Sequence, residues 1–262
     1  DAQGLTDTVH ELLISKRNEG TAVTFHGVVL DDGGGLEALP PRLERRLEFL
    51  GDSYVACYGC ESRVTSCPDV GAMTDAYDSF AALTSRELDA EYSLIAISGK
   101  GLLHNTGDPN LVSSTNLPSY YDRTLKGSSS PLWTFASWVP QAVIIALGVN
   151  DLRDAAVSVS REVFTQHYRQ LIARIQGNYP DVDVVCLALA WPDSLQPFVE
   201  HVYEQERADG NERVHYLSVS GYNVGGCDFP PNVGGHRAIS YQFTPFLEQI
   251  LAPSTAHPTC DA

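Results

Sequence analysis

The chain has 262 residues, enough for one large or two small domains, and 43% of them are hydrophobic, an ordinary share for a globular protein. The 17 basic and 33 acidic residues give a formal net charge of −16, which argues against nucleic acid or an anionic membrane surface as a partner. A neutral sugar or its ester meets no such repulsion. No apolar run approaches the roughly 20 residues that a membrane helix needs.

Residues 1–42 are predicted to form a β-hairpin followed by a linker. Residues 9–16 and 22–30 carry β-branched and aromatic side chains, and the polar turn Arg17–Gly20 separates them. A glycine-rich and then proline-rich stretch follows, which favours a boundary near residue 42. The hairpin is expected to be an annex to a main domain of residues 43–262.

The main domain is predicted to alternate strands and helices. A first strand is expected to end at 47–50, and further strands are expected at 92–98, 142–148, 182–190 and 214–219. Helices are expected at 71–89, 160–178, 195–208 and 233–251. Short apolar strands between helices indicate an α/β fold in which a parallel sheet is covered on both faces, a three-layer α/β/α arrangement. Such sheets place their sites at the carboxyl ends of the strands.

Three predicted strand ends carry residues suited to acyl transfer. Ser53 of Gly-Asp-Ser follows the first strand, Gly99 the second and Asn150 the third. A serine nucleophile needs a base within hydrogen-bond reach and donors for the oxyanion. The backbone N–H groups of Ser53 and Gly99, with the amide of Asn150, are predicted to form that oxyanion hole. The alternative is that these are ordinary turn residues.

The cysteines and the first residue give information on whether the protein is secreted. Six cysteines permit up to three disulfides, and at least one bridge is favoured, although the pairing cannot be read from the sequence. Cys57, Cys60 and Cys67 invite a zinc interpretation, but no second Cys/His pair with finger spacing follows, so no metal is predicted. The chain begins with Asp1 and has one methionine, Met73, which suggests a processed mature chain or an excised piece of a longer one, and secretion is expected.

Four ordered blocks resemble those of a known family. LEFLGDSYVACYG, ISGKGLLHN, WTFASWVPQAVIIALGVND and GCDFPPNVGGH are similar to consecutive blocks of the SGNH (GDSL-like) hydrolases, most closely carbohydrate esterase family 2. The resemblance implies an SGNH-hydrolase (flavodoxin-like) domain preceded by a jelly-roll-like β-sandwich, of which residues 9–31 match only the last two strands. It implies a secreted esterase that removes O-acetyl groups from polysaccharides and uses no metal or other cofactor.

The resemblance also implies roles for individual residues. Ser53 matches the nucleophile, Gly99 and Asn150 match oxyanion-hole residues, and Asp228 matches the acid that orients the catalytic histidine. That histidine is expected two residues after the acid, where this chain has Pro230. Proline cannot accept the proton of the serine, and the loss of a triad member typically costs several orders of magnitude in rate.

Three further residues are predicted near the site. His236 is the nearest alternative base, in competition with a structural, hydrogen-bonded histidine. His104 is predicted to border the cleft on the substrate side, and Phe229 to form a wall of the substrate site.

Different functions therefore stay open. One is an active esterase on an acetylated polysaccharide, with His236 as an unusual base. Another is an inactive protein that binds glycans, or that joins an extracellular assembly because the exposed edges of the hairpin pair with another chain. In a third, Pro230 is a variant position in an otherwise active enzyme.

Overall fold

A parallel sheet forms the centre of the molecule. The structure, a computed structural model, describes residues 4–6, 8–20, 22–153, 157–189 and 194–252. Within these ranges the strands are β1 Arg45–Gly51, β2 Ala90–Ala96, β3 Ala142–Ala146, β4 Asp183–Leu189 and β5 Val214–Val219, in the order β2-β1-β3-β4-β5. The helices are α1 Phe80–Glu87, α2 Val149–Arg153, α3 Arg161–Asn178, α4 Leu195–Ala208 and α5 Val233–Leu251. None of these helices is long and apolar enough to cross a membrane.

Helices cover both faces of the sheet, because neighbouring side chains of a strand point to opposite sides. In β1, Phe49 packs edge-on against Phe80 of α1 and Phe243 of α5. Its neighbour Glu48 faces the other layer, where it lies near Tyr179, the residue that directly follows α3. The predicted three-layer α/β/α fold is confirmed.

The predicted strands agree with the structure to within two residues at their ends, and the last three predicted helices to within one. The helix expected at 71–89 is shorter and begins at Phe80. Ser79 ends the preceding turn, because its side-chain oxygen accepts the N–H of Ala82 at 3.1 Å and so caps the helix. Asp75 caps the 3₁₀ turn Ala76–Asp78 in the same way.

The N-terminal hairpin is not formed. Described residues between 4 and 44 contain no helix or strand. A two-stranded hairpin is marginally stable by itself, and the apolar side chains of Leu12, Ile14 and Phe25 are 60–65% exposed, so they have no packed surface that would stabilise it. The boundary near residue 42 and the pairing with another chain stay predictions.

Candidate active site

A cleft of about 690 Å³ opens at the carboxyl ends of β1, β2 and β3. Its lining residues are Ser53, Tyr58, Ser98, Gly99, Thr106, Gly107, Asn150, Arg153, Asp228 and Pro230. The strand order reverses between β1 and β3, which is where doubly wound sheets bind ligands. The structure thus brings Ser53, Gly99, Asn150 and Asp228 together, whereas His104, His236 and Phe229 are not among the lining residues.

Ser53 lies in the tight turn that follows β1. The carbonyl oxygen of Asp52 accepts the N–H groups of Val55 and Ala56 at 3.1 and 3.0 Å, and that of Ser53 accepts the N–H of Tyr58 at 3.0 Å. This winding buries the neighbours of Ser53 but leaves Ser53 itself partly exposed. Its hydroxyl is therefore accessible to a ligand in the cleft.

The carboxylate of Asp52 is fully buried beside the cleft. Burial raises its pKa to about 7, and the nearby charge of Asp151 adds to the rise. One oxygen accepts the N–H of Tyr54 at 3.0 Å, and the other accepts Nδ2 of Asn150 at 3.0 Å. Asp52 therefore ties the serine turn to Asn150.

Every polar atom of the Asn150 side chain has a partner. Nδ2 donates to Asp52 and, at 2.8 Å, to the carbonyl oxygen of Lys100. Oδ1 accepts the hydroxyl of Thr106 at 2.6 Å. Because both Nδ2 hydrogens have acceptors, an oxyanion in the cleft would have to compete for them with Asp52 or Lys100.

Gly99 follows β2 in a left-handed conformation, with φ of +77°. A Cβ at this position would meet no atom within 4 Å, so the backbone conformation and not crowding favours glycine here. The carbonyl oxygen of Gly99 accepts the N–H of Thr106 at 3.0 Å. The second strand end is thereby joined to the residue that also holds Asn150.

The loop between β5 and α5 carries Asp228 and Pro230 into the cleft. Asp228 and Phe229 have φ of 55° and 74°, a region that residues other than glycine rarely adopt. The N–H of Asp228 donates to the carbonyl oxygen of Thr65 at 2.8 Å, and its Oδ2 accepts the hydroxyl of Tyr58 at 3.1 Å. The observed partner of this carboxylate is a phenol where the family resemblance predicts an imidazole.

Two predicted substrate contacts lie elsewhere. His104 is fully buried, with Nδ1 at 2.9 Å from the carbonyl oxygen of Asn110, and its backbone N–H donates to Asp151. His104 is therefore not placed to bind substrate, because a fully buried imidazole cannot contact a polysaccharide. Phe229 is 53% exposed, and only a ligand that extends beyond the cleft would reach it.

His236 is also fully buried, in the first turn of α5. Its Nδ1 accepts the N–H of Phe80 at 3.1 Å, and the two rings are stacked with centroids 6.1 Å apart. Burial lowers its pKa to about 3, so the ring stays neutral above acidic pH. The structure speaks against His236 as the replacement base and favours the competing structural interpretation.

Comparison with known proteins assigns the family. A model of the GDSL-like Lipase/Acylhydrolase family matches residues 49–259. The chain belongs to this family. The match begins just before Gly-Asp-Ser, and the resemblance to SGNH hydrolases is confirmed.

Similar proteins within the family are carbohydrate esterases. Cellulase/esterase CelE of Acetivibrio thermocellus is 30% identical over 257 residues, which are 95% of this chain and 31% of that protein. An acetylxylan esterase / glucomannan deacetylase of Cellvibrio japonicus is 27% identical over 222 residues, 83% of this chain and 61% of that protein. The chain thus spans less than two thirds of the length of these two relatives.

A solved structure supports the same relationship. A family two carbohydrate esterase from Clostridium thermocellum in complex with cellohexaose matches with a TM-score of 0.75 and 30% identity, over 82% of this chain and 67% of that one. The similarity to carbohydrate esterase family 2 that the sequence indicates is therefore confirmed.

Two disulfides brace the loops around the cleft, Cys57–Cys60 and Cys67–Cys227. Gly59 lies inside the first bridge and packs on the second, since a Cβ there would lie 2.3 Å from Cβ of Cys227. Its carbonyl oxygen accepts the N–H of Cys227 at 3.1 Å. The Cys67–Cys227 bridge and the contact between Gly59 and Cys227 therefore join the segment after β1 to the loop that follows β5.

Among the described residues, the one group with metal-ligand proximity is Cys57, Cys60 and His236. The two sulfurs are bonded to each other and cannot act as thiolate ligands. Cys186 is a buried free thiol, and burial raises its pKa to about 12. Cys260 lies outside the described residues.

Four polar residues of the cleft were not predicted from the sequence: Tyr58, Ser98, Thr106 and Arg153. Ser98 entered the prediction only as the last residue of the strand expected at 92–98. Arg153 lies three residues after Asn150 in α2, so a helical spacing was available to find it. Tyr58 lies between two cysteines, and Thr106 lies in a loop. Neither of these had a local signal, because the contacts to Asp228 and Asn150 span 170 and 44 residues.

Proposed function

We propose that the Ser53 cleft binds O-acetylated carbohydrate and that the protein removes the acetyl groups only slowly. One observation carries this proposal. The cleft keeps Ser53, Gly99 and Asn150, but no histidine is found among the described residues that line it.

The ligand class is supported by the relatives and by charge. One relative is named an acetylxylan esterase and glucomannan deacetylase, and a solved neighbour holds cellohexaose. An uncharged polysaccharide meets no repulsion from a chain with a net charge of −16. Two disulfides fit an oxidising compartment, which supports secretion.

Deacetylation is expected to be slow because no histidine among the described lining residues can accept the proton that Ser53 must lose. Attack on an acetyl carbon forms a bond from the serine oxygen, and its proton needs an acceptor at that moment. Without the histidine, oxyanion stabilisation and binding alone still leave about 10³–10⁴-fold catalysis over water. The competition for the Nδ2 hydrogens of Asn150 reduces that remainder further.

The second candidate is an efficient O-acetyl esterase. The observation that favours it is the hydrogen-bonded pair of Asp228 and Tyr58 in the same cleft as Ser53. In this candidate the carboxylate of Asp228 takes the serine proton directly.

Two measurements on purified protein separate the candidates. Calorimetry with acetylated and deacetylated xylo-oligosaccharides should show binding to the wild type and, with similar affinity, to Ser53→Ala. Hydrolysis of p-nitrophenyl acetate by the wild type should exceed that of Ser53→Ala by about 10-fold or less. A loss of about 10³-fold or more in Ser53→Ala would support the efficient esterase. If the wild type bound neither the acetylated nor the deacetylated oligosaccharide, the proposal would be refuted.

A further inference from the structure

Part of the N-terminal segment is fixed to the α/β domain. The turn Arg17–Gly20 contacts it, although the flanking residues are largely exposed. The guanidinium of Arg17 pairs with Glu61 and, at 3.1 Å, with Asp75. Its carbonyl oxygen accepts the N–H of Ala76 at 2.7 Å. The turn is therefore docked by both backbone and side-chain bonds.

Glu19 in this turn reaches the rim of the cleft. Its Oε2 accepts the N–H of Ser98 at 2.8 Å, across 79 residues of sequence. Lys126 donates to the carbonyl oxygen of Glu19 at 3.1 Å and lies 3.8 Å from its Oε2. Burial is the main cause of the raised pKa values of Asp52 and Tyr58, and the charge of Glu19 adds to both.

The position of this contact gives it a consequence for the cleft. Ser98 lines the cleft and directly precedes Gly99, whose left-handed backbone follows the end of β2. The N–H of Ile97 still donates to Gly51 of β1, but β2 is the edge strand of the sheet in the described residues, so no strand on its other side can bind the N–H of Ser98. A carboxylate is a strong acceptor for this N–H. Glu19 thus fixes the backbone from which Gly99 faces the cleft.

We propose that Glu19 is a positioning residue of the Ser53 cleft, and that it sets the affinity for the carbohydrate through the Ser98–Gly99 backbone. This inference rests on the proposed function for the identity of the ligand. The conservative variant Glu19→Gln keeps an oxygen acceptor without the charge, whereas Glu19→Ala removes both. Glu11→Ala is a matched control, because Glu11 is exposed on the same segment.

Hydrogen exchange and calorimetry test the proposal on the same four proteins, the wild type and these variants. In Glu19→Ala, the Ser98 amide should exchange about tenfold faster and acetylated xylo-oligosaccharide should bind about tenfold more weakly, the effect of losing one charge-assisted hydrogen bond. Glu19→Gln should recover most of both losses, and Glu11→Ala should match the wild type. The melting temperature is followed in parallel.

Each outcome decides one question. Faster Ser98 exchange with unchanged affinity would limit Glu19 to a structural role and overturn the proposal. Unchanged exchange in Glu19→Ala would overturn the contact itself. If the wild type binds no oligosaccharide, the proposed function fails, and the exchange data still decide whether Glu19 fixes Ser98.

Discussion

The two sides of the cleft are built in different ways. On one side, Ser53, Gly99 and Asn150 follow adjacent strands, and the sheet itself brings them together. On the other side, Asp228 and Pro230 lie in a loop held by the Cys67–Cys227 disulfide and by the hydrogen bond from the N–H of Asp228 to Thr65. The loop therefore keeps its place without the histidine, because covalent and backbone contacts, not the catalytic hydrogen bonds, hold it there.

The largest expected effect concerns the bridge that holds the loop. Replacing Cys67 and Cys227 by serine should lower the free energy of unfolding by about 5 kcal/mol, because the bridge closes a loop of 160 residues. The same change at Cys57 and Cys60 should cost about 2 kcal/mol, since its loop is short. Urea unfolding measures both values. Equal losses would show that loop closure does not set the difference between the two bridges.

The second prediction places an imidazole on the loop. Pro230→His should raise the hydrolysis of p-nitrophenyl acetate by about 10³-fold, because a general base at the family position would serve Ser53. The increase corresponds to about 4 kcal/mol of transition-state stabilisation.

Pro230→Ala is the control for removal of the ring, and it should leave the rate unchanged. The double variant Ser53→Ala/Pro230→His should lose the gain. No gain in Pro230→His would mean that the loop, although it reaches the cleft, does not present residue 230 to the serine.

The third prediction concerns the strand side, where Glu48 lies buried in β1. Burial raises its pKa to about 7 from 4.5. Between these values the folded state holds a proton that the unfolded state has released, so this group lowers stability as the pH rises towards 7. At pH 8 both states are ionised, and the folded state bears the whole cost, about 3 kcal/mol.

Glu48→Gln removes that cost. Its melting temperature should exceed that of the wild type at pH 8 and equal it at pH 4. Glu248→Gln, at an exposed position of α5, should match the wild type at both pH values. If Glu48→Gln gives the same difference at pH 4 and pH 8, ionisation of this carboxyl is not the destabilising factor.

Most of the α/β domain was predictable from local patterns. Apolar runs such as Ala142–Ala146 are strands because both faces of the sheet are covered, and their alternation with amphipathic helices implies parallel pairing. The closeness of Ser53, Gly99 and Asn150 was predictable in the same way, because each follows a strand and parallel strands end at one edge of the sheet. The prediction of an N-terminal hairpin was wrong, because β-branched side chains indicate a strand only where a partner surface exists to pack against.

The sequence by itself determined the family, the sheet and the absence of a histidine at residue 230, because these depend on residue type and order along the chain. Only the tertiary structure decided that His236 and His104 are buried, that Tyr58 is the partner of Asp228, and that Glu19 reaches Ser98. The physical reason is distance along the chain. Burial and long-range hydrogen bonds arise when segments far apart in sequence pack together, and they leave no periodic pattern in the segments themselves.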